Sequence, residues 1–258
     1  MKTTELFSIQ GRVAVVTGGS TGIGRHIATG FAAAGAKVYI CARTETKVKA
    51  AAREISEMTG GTCIGIAVDV STLAGIDALV AEIAAAESAL HILVNNAGTM
   101  AEAPIDDYSE AAWDQVIDIN LKAPFFILQK FLTLLRAGGT AERPASLINI
   151  GSVGALKVGP KENYAYQASK SAVHWMAKSL AKRLGRDHIT ANVIAPGFFE
   201  SEMSVITSEE MRGMLEGMVP RGRIGTAEDL AGTAIYLASR AGAYVTGSVI
   251  PVEGGLSI

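Results

Sequence analysis

The sequence predicts an α/β chain doubly wound around a parallel sheet, and three observations carry that prediction. Short apolar runs alternate with longer stretches of helical spacing, the order that builds a parallel sheet with helices on both faces. The runs are apolar throughout, as strands buried on both sides must be. A glycine-rich turn, Gly18-Gly19-Ser20-Thr21-Gly22-Ile23-Gly24, joins the first run to the first helix. Glycines there let a backbone turn tightly and lie against a pyrophosphate.

In chain order, Val13-Ala14-Val15-Val16-Thr17 is the first strand, and a helical pattern runs from Arg25 to Ala34, closed by Gly35. Lys37 to Cys41 is the second strand. Strand, glycine turn, helix and strand in so short a span form a βαβ dinucleotide-binding unit, hence a Rossmann-type domain. The glycines at 18, 22 and 24 depart from the usual G-x-G-x-x-G, and a loop without a ligand is the bland alternative. Where the second strand of such a unit ends, an acidic side chain usually holds the adenosine ribose hydroxyls. Ala42 and Arg43 stand there instead. A guanidinium without a carboxylate argues for a 2′-phosphate, and so for NADP(H) over NAD(H). Glu45 competes for the acidic role if the strand runs longer, and Arg43 is alternatively an ordinary solvated charge.

Thr44 to Met58 is helical, Cys63 to Val68 a strand, Ser71 to Ala86 a helix and His91 to Val94 a strand. Asp69, followed by Val70, either caps the next helix or touches an adenine; capping is the preferred reading. Asn95-Asn96-Ala97-Gly98 ends the fourth strand with small residues that let backbone lie near a ligand. One long helical region spans about Ser109 to Arg136 and carries Asn120 amid apolar neighbours, a buried amide that is either structurally satisfied or functional. Ser146 to Ile150 is the fifth strand, closed by Ser152 at the carboxyl edge where open α/β sheets hold ligands. Thr190 to Ala195 is the sixth strand, followed by Pro196-Gly197. The stretch 198–218, rich in Phe and Met, is an adaptable apolar lid, or else a helix packed on the domain or at a subunit interface. Ala227 to Ala238 is a helix and Ser248 to Val252 a seventh strand.

Tyr166-Gln167-Ala168-Ser169-Lys170 carries the chemistry. At i and i+4 on a helix, Tyr166 and Lys170 project side by side. A free phenol titrates near ~10, and an adjacent ammonium favours the phenolate and draws that value down. Tyr164 has Ala168 at the partner position and is rejected.

With 49% hydrophobic and 19% charged residues, the 258-residue chain buries a large core and is not disordered. There is no linker, low-complexity tract or short repeat, so one domain spans 1–258, its dinucleotide-binding part about 11–150 and its catalytic and substrate part about 151–258. A net charge of −2 without a basic run argues against nucleic acid or an anionic membrane as partner. Cys41 and Cys63 lie in strand-like runs and read as buried, reduced thiols in a cytoplasmic compartment. The first ten residues lack a signal-peptide core, no apolar run reaches the roughly 20 residues of a membrane span, and no metal ligand set is read.

Thr17-Gly18-x-x-x-Gly22-x-Gly24, Asn95-Asn96-Ala97-Gly98, Asn120, Ser152, Tyr166-x-x-x-Lys170 and Pro196-Gly197 together resemble the short-chain dehydrogenase/reductase family over essentially the whole chain. The runs 148–153 and 192–197 are most similar to its NADPH-dependent 3-oxoacyl reductases, of the type associated with rhamnolipid synthesis. The resemblance implies Tyr166 as general acid, Lys170 as the group that lowers its pKa and holds the nicotinamide ribose, Ser152 on the substrate oxygen, and Asn120 anchoring a relay water. It implies a cofactor cradle of Gly18, Ser20, Thr21, Gly22, Ile23, Arg43, Asp69, Val70, Asn96, Ala97, Gly98, Pro196, Gly197 and Ser201, together with Tyr166 and Lys170. The implied reaction is reduction of a ketone to a secondary alcohol by NADPH. The leading substrate is a 3-oxoacyl thioester on acyl carrier protein or coenzyme A, with a steroid or other bulky alicyclic ketone as runner-up.

Arg136, Arg143 and Arg186 are candidates for a carrier-docking patch, and the resemblance implies a homotetramer or homodimer. A non-catalytic nucleotide sensor typically lacks the tyrosine or lysine, and a sugar-nucleotide epimerase needs a longer chain. Three positions depart from the family pattern: Thr21 where NADP-preferring members often carry a basic residue, Ser201 where threonine is frequent, and Glu253 in place of Asp.

Overall fold

A computed structural model describes residues 2–200 and 206–258. Seven strands form one all-parallel sheet: β1 (Val13–Thr17), β2 (Lys37–Ala42), β3 (Thr62–Ala67), β4 (Ile92–Asn95), β5 (Ala145–Ile150), β6 (Ile189–Pro196) and β7 (Val249–Val252). Their spatial order is β3-β2-β1-β4-β5-β6-β7. The chain moves outward from β1 to β3, then crosses back to lay β4 on the other side of β1. At such a reversal the connections on either side diverge to opposite faces, and a crevice opens at the carboxyl ends of the strands.

Both faces of the sheet are covered, which is why the strands read as unbroken apolar runs. Helices α2 (Gly22–Ala33), α3 (Glu45–Thr59) and α9 (Ala227–Ala238) cover one face; Ala14 and Val16 of β1 pack there with Ile27, Phe31, Ile55 and Leu230. Helices α4 (Leu73–Ala86), α6 (Ala123–Gly138) and α7 (Tyr164–Leu184) cover the other, where Val13 and Val15 meet Leu79, Leu93, Phe131 and Leu184. Phe31 and Phe131 are fully buried, one on each face, and each such side chain contributes roughly 2–3 kcal/mol of burial free energy. Short α1 (Thr3–Leu6) precedes the sheet, α5 (Glu110–Ile117) follows β4, and α8 (Glu209–Gly217) lies between β6 and α9.

The amino edge is tied by one buried cation. Arg12 donates to the carbonyls of Ala238 (2.9 Å), His91 (3.3 Å) and Pro144 (2.6 Å), joining three separate segments. Burial and the nearby Arg143 charge lower its pKa to about 10.

The elements match the sequence reading closely, with instructive departures. Helix α2 starts at Gly22, three residues earlier than expected, because glycine's poor helix propensity is overridden where the helix must begin against β4. The long helix at about 109–136 is interrupted: a π-helical turn, Asp118–Lys122, separates α5 from α6. Strand β5 ends at Ile150, so Ser152 lies beyond the sheet, at the N-cap of a short 3-10 turn. Cys41 and Cys63 are buried and unpaired, and burial pushes each thiol up to about 12.

Candidate active site

The glycine turn is shaped by close approach. Gly18 has φ +63° and Gly22 φ +52°, backbone that L side chains rarely adopt. At Gly24 a Cβ would lie 2.4 Å from both Asn96 Nδ2 and Gly18 O, so only glycine lets α2 come this near β4. Asn96 Nδ2 donates to Thr17 O (2.8 Å) and Gly18 O (3.0 Å), while Thr17 Oγ1 accepts from the N–H groups of Asn96 and Ala97, both at 3.0 Å. These bonds fasten the ends of β1 and β4 and fix the turn. Thr21 is the N-cap of α2 but makes no side-chain capping bond, leaving the first helical N–H groups for an anion.

A cleft of about 590 Å³ runs along the carboxyl edge from this turn. Gly18, Ser20, Thr21, Gly22 and Ile23 line one side; Arg43, Asp69 and Val70 line the end beside β2 and β3; Asn96, Ala97, Gly98, Ser152, Tyr166, Lys170, Pro196 and Gly197 line the rest. A dinucleotide fits the donor set: an uncapped helix N-terminus, a cradle that a Cβ would fill, and an exposed guanidinium at the far end.

At that end the Arg43 guanidinium makes no hydrogen bond to another described residue, and its charge reaches Asp69. Glu45 does not compete, because β2 stops at Ala42 and Glu45 opens α3, paired with Lys49. Asp69 is not the helix cap it was expected to be. Its Oδ1 accepts from the Ser71 N–H (3.0 Å) and hydroxyl (2.7 Å), and the cap of α4 is Thr72, whose Oγ1 accepts from Gly75 N (3.0 Å). Burial pushes the Asp69 carboxyl up, but the two Ser71 bonds and Arg43 hold it below its ordinary value.

Tyr166, Lys170 and Ser152 meet at the end of β5. Lys170 is 5% exposed, donates to Ile150 O at 2.8 Å, and sits 5.7 Å from the centroid of the Tyr166 ring. Burial lowers its pKa to about 8. Burial also raises the Tyr166 phenol, and a hydrogen bond with the Ser152 hydroxyl draws it only partly back. The expectation of a lowered phenol pKa is corrected in direction: burial outweighs the polar neighbours, the Ser152 hydroxyl draws the value partly back, and the Lys170 ammonium is shared with a strand carbonyl. Ser152 Oγ also accepts from Gly154 N (3.0 Å).

Asn120 stands in the π turn, 1% exposed, behind the cleft and not on its wall. Its Oδ1 accepts from Thr99 N (2.8 Å), and its Nδ2 donates to Thr99 O (2.9 Å) and Ser169 Oγ (3.1 Å). Ser169 Oγ in turn donates to Tyr166 O (2.7 Å). The side chain thus ties the loop after β4 to the second turn of α7. A π turn shifts the helix register locally, and Asn120 lies buried within it.

A family described as enoyl-(acyl carrier protein) reductase matches residues 18–257. The chain belongs to the short-chain dehydrogenase/reductase family. It is 42% identical over 254 residues to the rhamnolipids biosynthesis 3-oxoacyl-(acyl-carrier-protein) reductase of Pseudomonas aeruginosa, covering 98% of each chain. It is 35% identical over 250 residues to the 3-oxoacyl-(acyl-carrier-protein) reductase FabG of Escherichia coli, covering 96% of this chain and 98% of that one. Among solved structures, the Pseudomonas aeruginosa RhlG/NADP active-site complex superposes with a TM-score of 0.94 at 42% identity, over 98% of this chain and 99% of that chain. A gluconate 5-dehydrogenase from Burkholderia cenocepacia, in complex with NADP and tartrate, gives 0.90 at 33% identity over 99% of each.

In this short-chain dehydrogenase/reductase, every cofactor position named from the sequence lines the cleft except Ser201, which lies outside the described residues. Tyr164 is exposed, its hydroxyl donating to Glu162 (2.6 Å). Of the stretch 198–218, the described part anchors Phe199 in the cleft wall against Gly225, where a Cβ would meet the ring at 2.2 Å, and exposes Met214 and Met218 on or next to α8. The basic candidates do not gather beside the cleft. Arg136 pairs with Asp187 (2.9 Å) and Arg143 donates to Ser8 O (3.3 Å). Both, with Arg186, lie where α6 and α7 descend to the amino edge. Sequence reasoning missed His174, behind Ser152; its partner is a backbone amide, for which no spacing rule exists. Among the described residues no helix is long and apolar enough to cross a membrane, and no group of three His, Cys, Asp or Glu side chains could hold a metal ion.

Proposed function

We propose that this reductase uses NADPH to convert a ketone to a secondary alcohol, and that its substrate is a 3-oxoacyl thioester of acyl carrier protein or coenzyme A. The observation that carries the reading is the meeting of Ser152, Tyr166 and Lys170 on the wall of the cleft that also holds the uncapped start of α2 and the exposed Arg43. The thioester class rests on the 3-oxoacyl reductases to which the chain is similar.

When bound, the reduced nicotinamide supplies hydride to the carbonyl carbon. Tyr166 gives its hydroxyl proton to the oxygen as charge develops there. Its raised pKa keeps the phenol protonated at neutral pH, the form that reduction requires. Ser152 orients the phenol and the carbonyl oxygen together. Lys170 holds the nicotinamide ribose and replenishes the proton, and Asn120 keeps the loop after β4 and the α7 turn in register for that relay. The helix N-terminus takes the pyrophosphate and Arg43 the 2′-phosphate. The chain acts as one domain, in the cytoplasm, as a homo-oligomer.

Steady-state rates over 3-oxoacyl thioesters, steroids and small ketones, each with NADPH and NADH, test this. NADPH-dependent turnover highest on the thioesters is the expected result. Faster turnover of a steroid would move the substrate class to bulky alicyclic ketones. Tight NADPH binding without turnover of any ketone would make the protein a nucleotide sensor.

A further inference from the structure

Tyr166, Lys170 and His174 follow one another at four-residue intervals on α7, so they form a single stripe facing the end of β5. The stripe grips consecutive positions of that strand end. Lys170 Nζ bonds Ile150 O at 2.8 Å, the Tyr166 ring and the Ser152 hydroxyl both lie against Gly154, and His174 Nε2 lies 3.4 Å from Ser152 N. Between them Gly151 has no side chain. A Cβ there would come within 2.2 Å of His174 Nε2 and 2.7 Å of Val193 Cγ1, so the imidazole fills the space a side chain at 151 would occupy.

The Ser152 amide needs this partner. The β5–β6 ladder ends with Ile150 opposite Ile194, and Gly151 N makes the last bond to β6, 2.8 Å from Ile194 O. Ser152 is the next residue, 8% exposed, and a buried N–H past the end of its sheet must find an acceptor elsewhere. We propose that His174 is a positioning residue: through Nε2 it accepts the Ser152 N–H and thereby sets where the Ser152 hydroxyl meets the Tyr166 phenol.

That role requires a neutral imidazole with its proton on Nδ1. The surroundings enforce neutrality. Burial, then the charges of Lys170 and Lys178 on its own helix, hold the pKa down to about 4. From the sheet side it meets Gly151, Ser152 and Val193, none of which titrates.

The inference rests on the ketone-reductase reading for its kinetic consequence, but its structural part can be read without turnover. In the wild-type protein, nitrogen-15 NMR of the histidines at pH 7 should show His174 as the Nδ1–H tautomer; an Nε2–H tautomer or an imidazolium would overturn the proposal. Kinetically, His174→Leu keeps an apolar filler but removes the acceptor, whereas His174→Gln returns an acceptor to the Nε2 position.

With NADPH and a ketone that the wild type reduces, kcat of His174→Leu should fall about tenfold with the NADPH Kd unchanged. The pH profile of the reverse oxidation should move to higher pH, because Tyr166 loses the bond that draws its pKa down. His174→Gln should recover most of both. A folded His174→Leu with wild-type kcat and pH profile would refute positioning, as would a His174→Gln no better than the leucine variant. If the leucine variant does not fold, the glutamine variant's pH profile and the tautomer decide. Failure of the wild type on every ketone would sink the functional reading and leave the tautomer test standing.

Discussion

Lys170 Nζ lies 2.8 Å from Ile150 O and above the face of the Tyr166 ring, 5.7 Å from its centroid. A buried ammonium with one strand carbonyl for company is poorly compensated, and this has consequences for both stability and catalysis.

The first consequence concerns the fold. Lys170 titrates at 10.5 when free and at about 8 in the folded chain, so the folded state binds that proton more weakly. Below pH 8 the charged side chain costs stability, and the cost is relieved as pH rises from about 8 to 10.5. Lys170→Met should raise the melting temperature of the cofactor-free protein by about 2–4 °C, the effect of roughly 1 kcal/mol in a chain of this size, while abolishing turnover. Differential scanning calorimetry without nucleotide checks it; a lower melting temperature would show that the bond to Ile150 O outweighs the desolvation.

Tyr166→Phe removes the proton donor and leaves the ring in place. Turnover should fall by about a thousandfold, within the range for loss of a general acid, while the NADPH Kd changes less than about twofold. Fluorescence titration with NADPH alongside steady-state kinetics separates the two effects. Near-normal turnover would remove Tyr166 from the mechanism.

Arg43 is exposed and without a hydrogen-bond partner among the described residues, so its replacement should not disturb the fold. Arg43→Ala should weaken NADPH by about 10- to 100-fold, the value of one or two charge-assisted hydrogen bonds, and NADH by no more than about twofold. An equal loss on both cofactors would assign Arg43 to something other than the 2′-phosphate.

Acid should unfold the protein through its buried His174 and the half-buried His26 and His91. His174 is held down to about 4 by burial, Lys170 and Lys178; burial and Arg25 lower His26, and burial, Arg12 and Arg143 lower His91. Each is neutral when folded and gains a proton more readily when unfolded. The His174 contribution, on the order of 3 kcal/mol, is complete above about pH 6.5 and is lost as pH falls from there toward 4; His26 and His91 lose stability in the same direction. Urea midpoints between pH 7 and 4.5 should fall steadily, and less steeply in His174→Gln. A flat midpoint over that interval would contradict imidazoles held neutral by the fold.

Much of this protein is legible in its sequence because the signals are local. The run Val13 to Thr17 is β1 to the residue, since a strand buried on both faces admits little but apolar side chains. The glycines at 18, 22 and 24, and the four-residue step from Tyr166 to Lys170, report backbone geometry directly. The misreadings arise where a partner is distant or is backbone. Thr72 outcompetes Asp69 as a cap because the chain turns at Ser71, and the π turn around Asn120 leaves the apolar pattern of about 109–136 unbroken.

By itself, then, the sequence determined the parallel sheet, the nucleotide turn and the pairing of a phenol with an amine, all of them properties of neighbours along one element. Only the tertiary structure decided that Lys170 bonds Ile150 O, that burial raises the Tyr166 phenol beside the Ser152 hydroxyl, and that His174 stands behind Ser152. Those choices depend on how far α7 settles onto the end of β5, which is set by packing against Gly151 and Val193 and has no period in the chain.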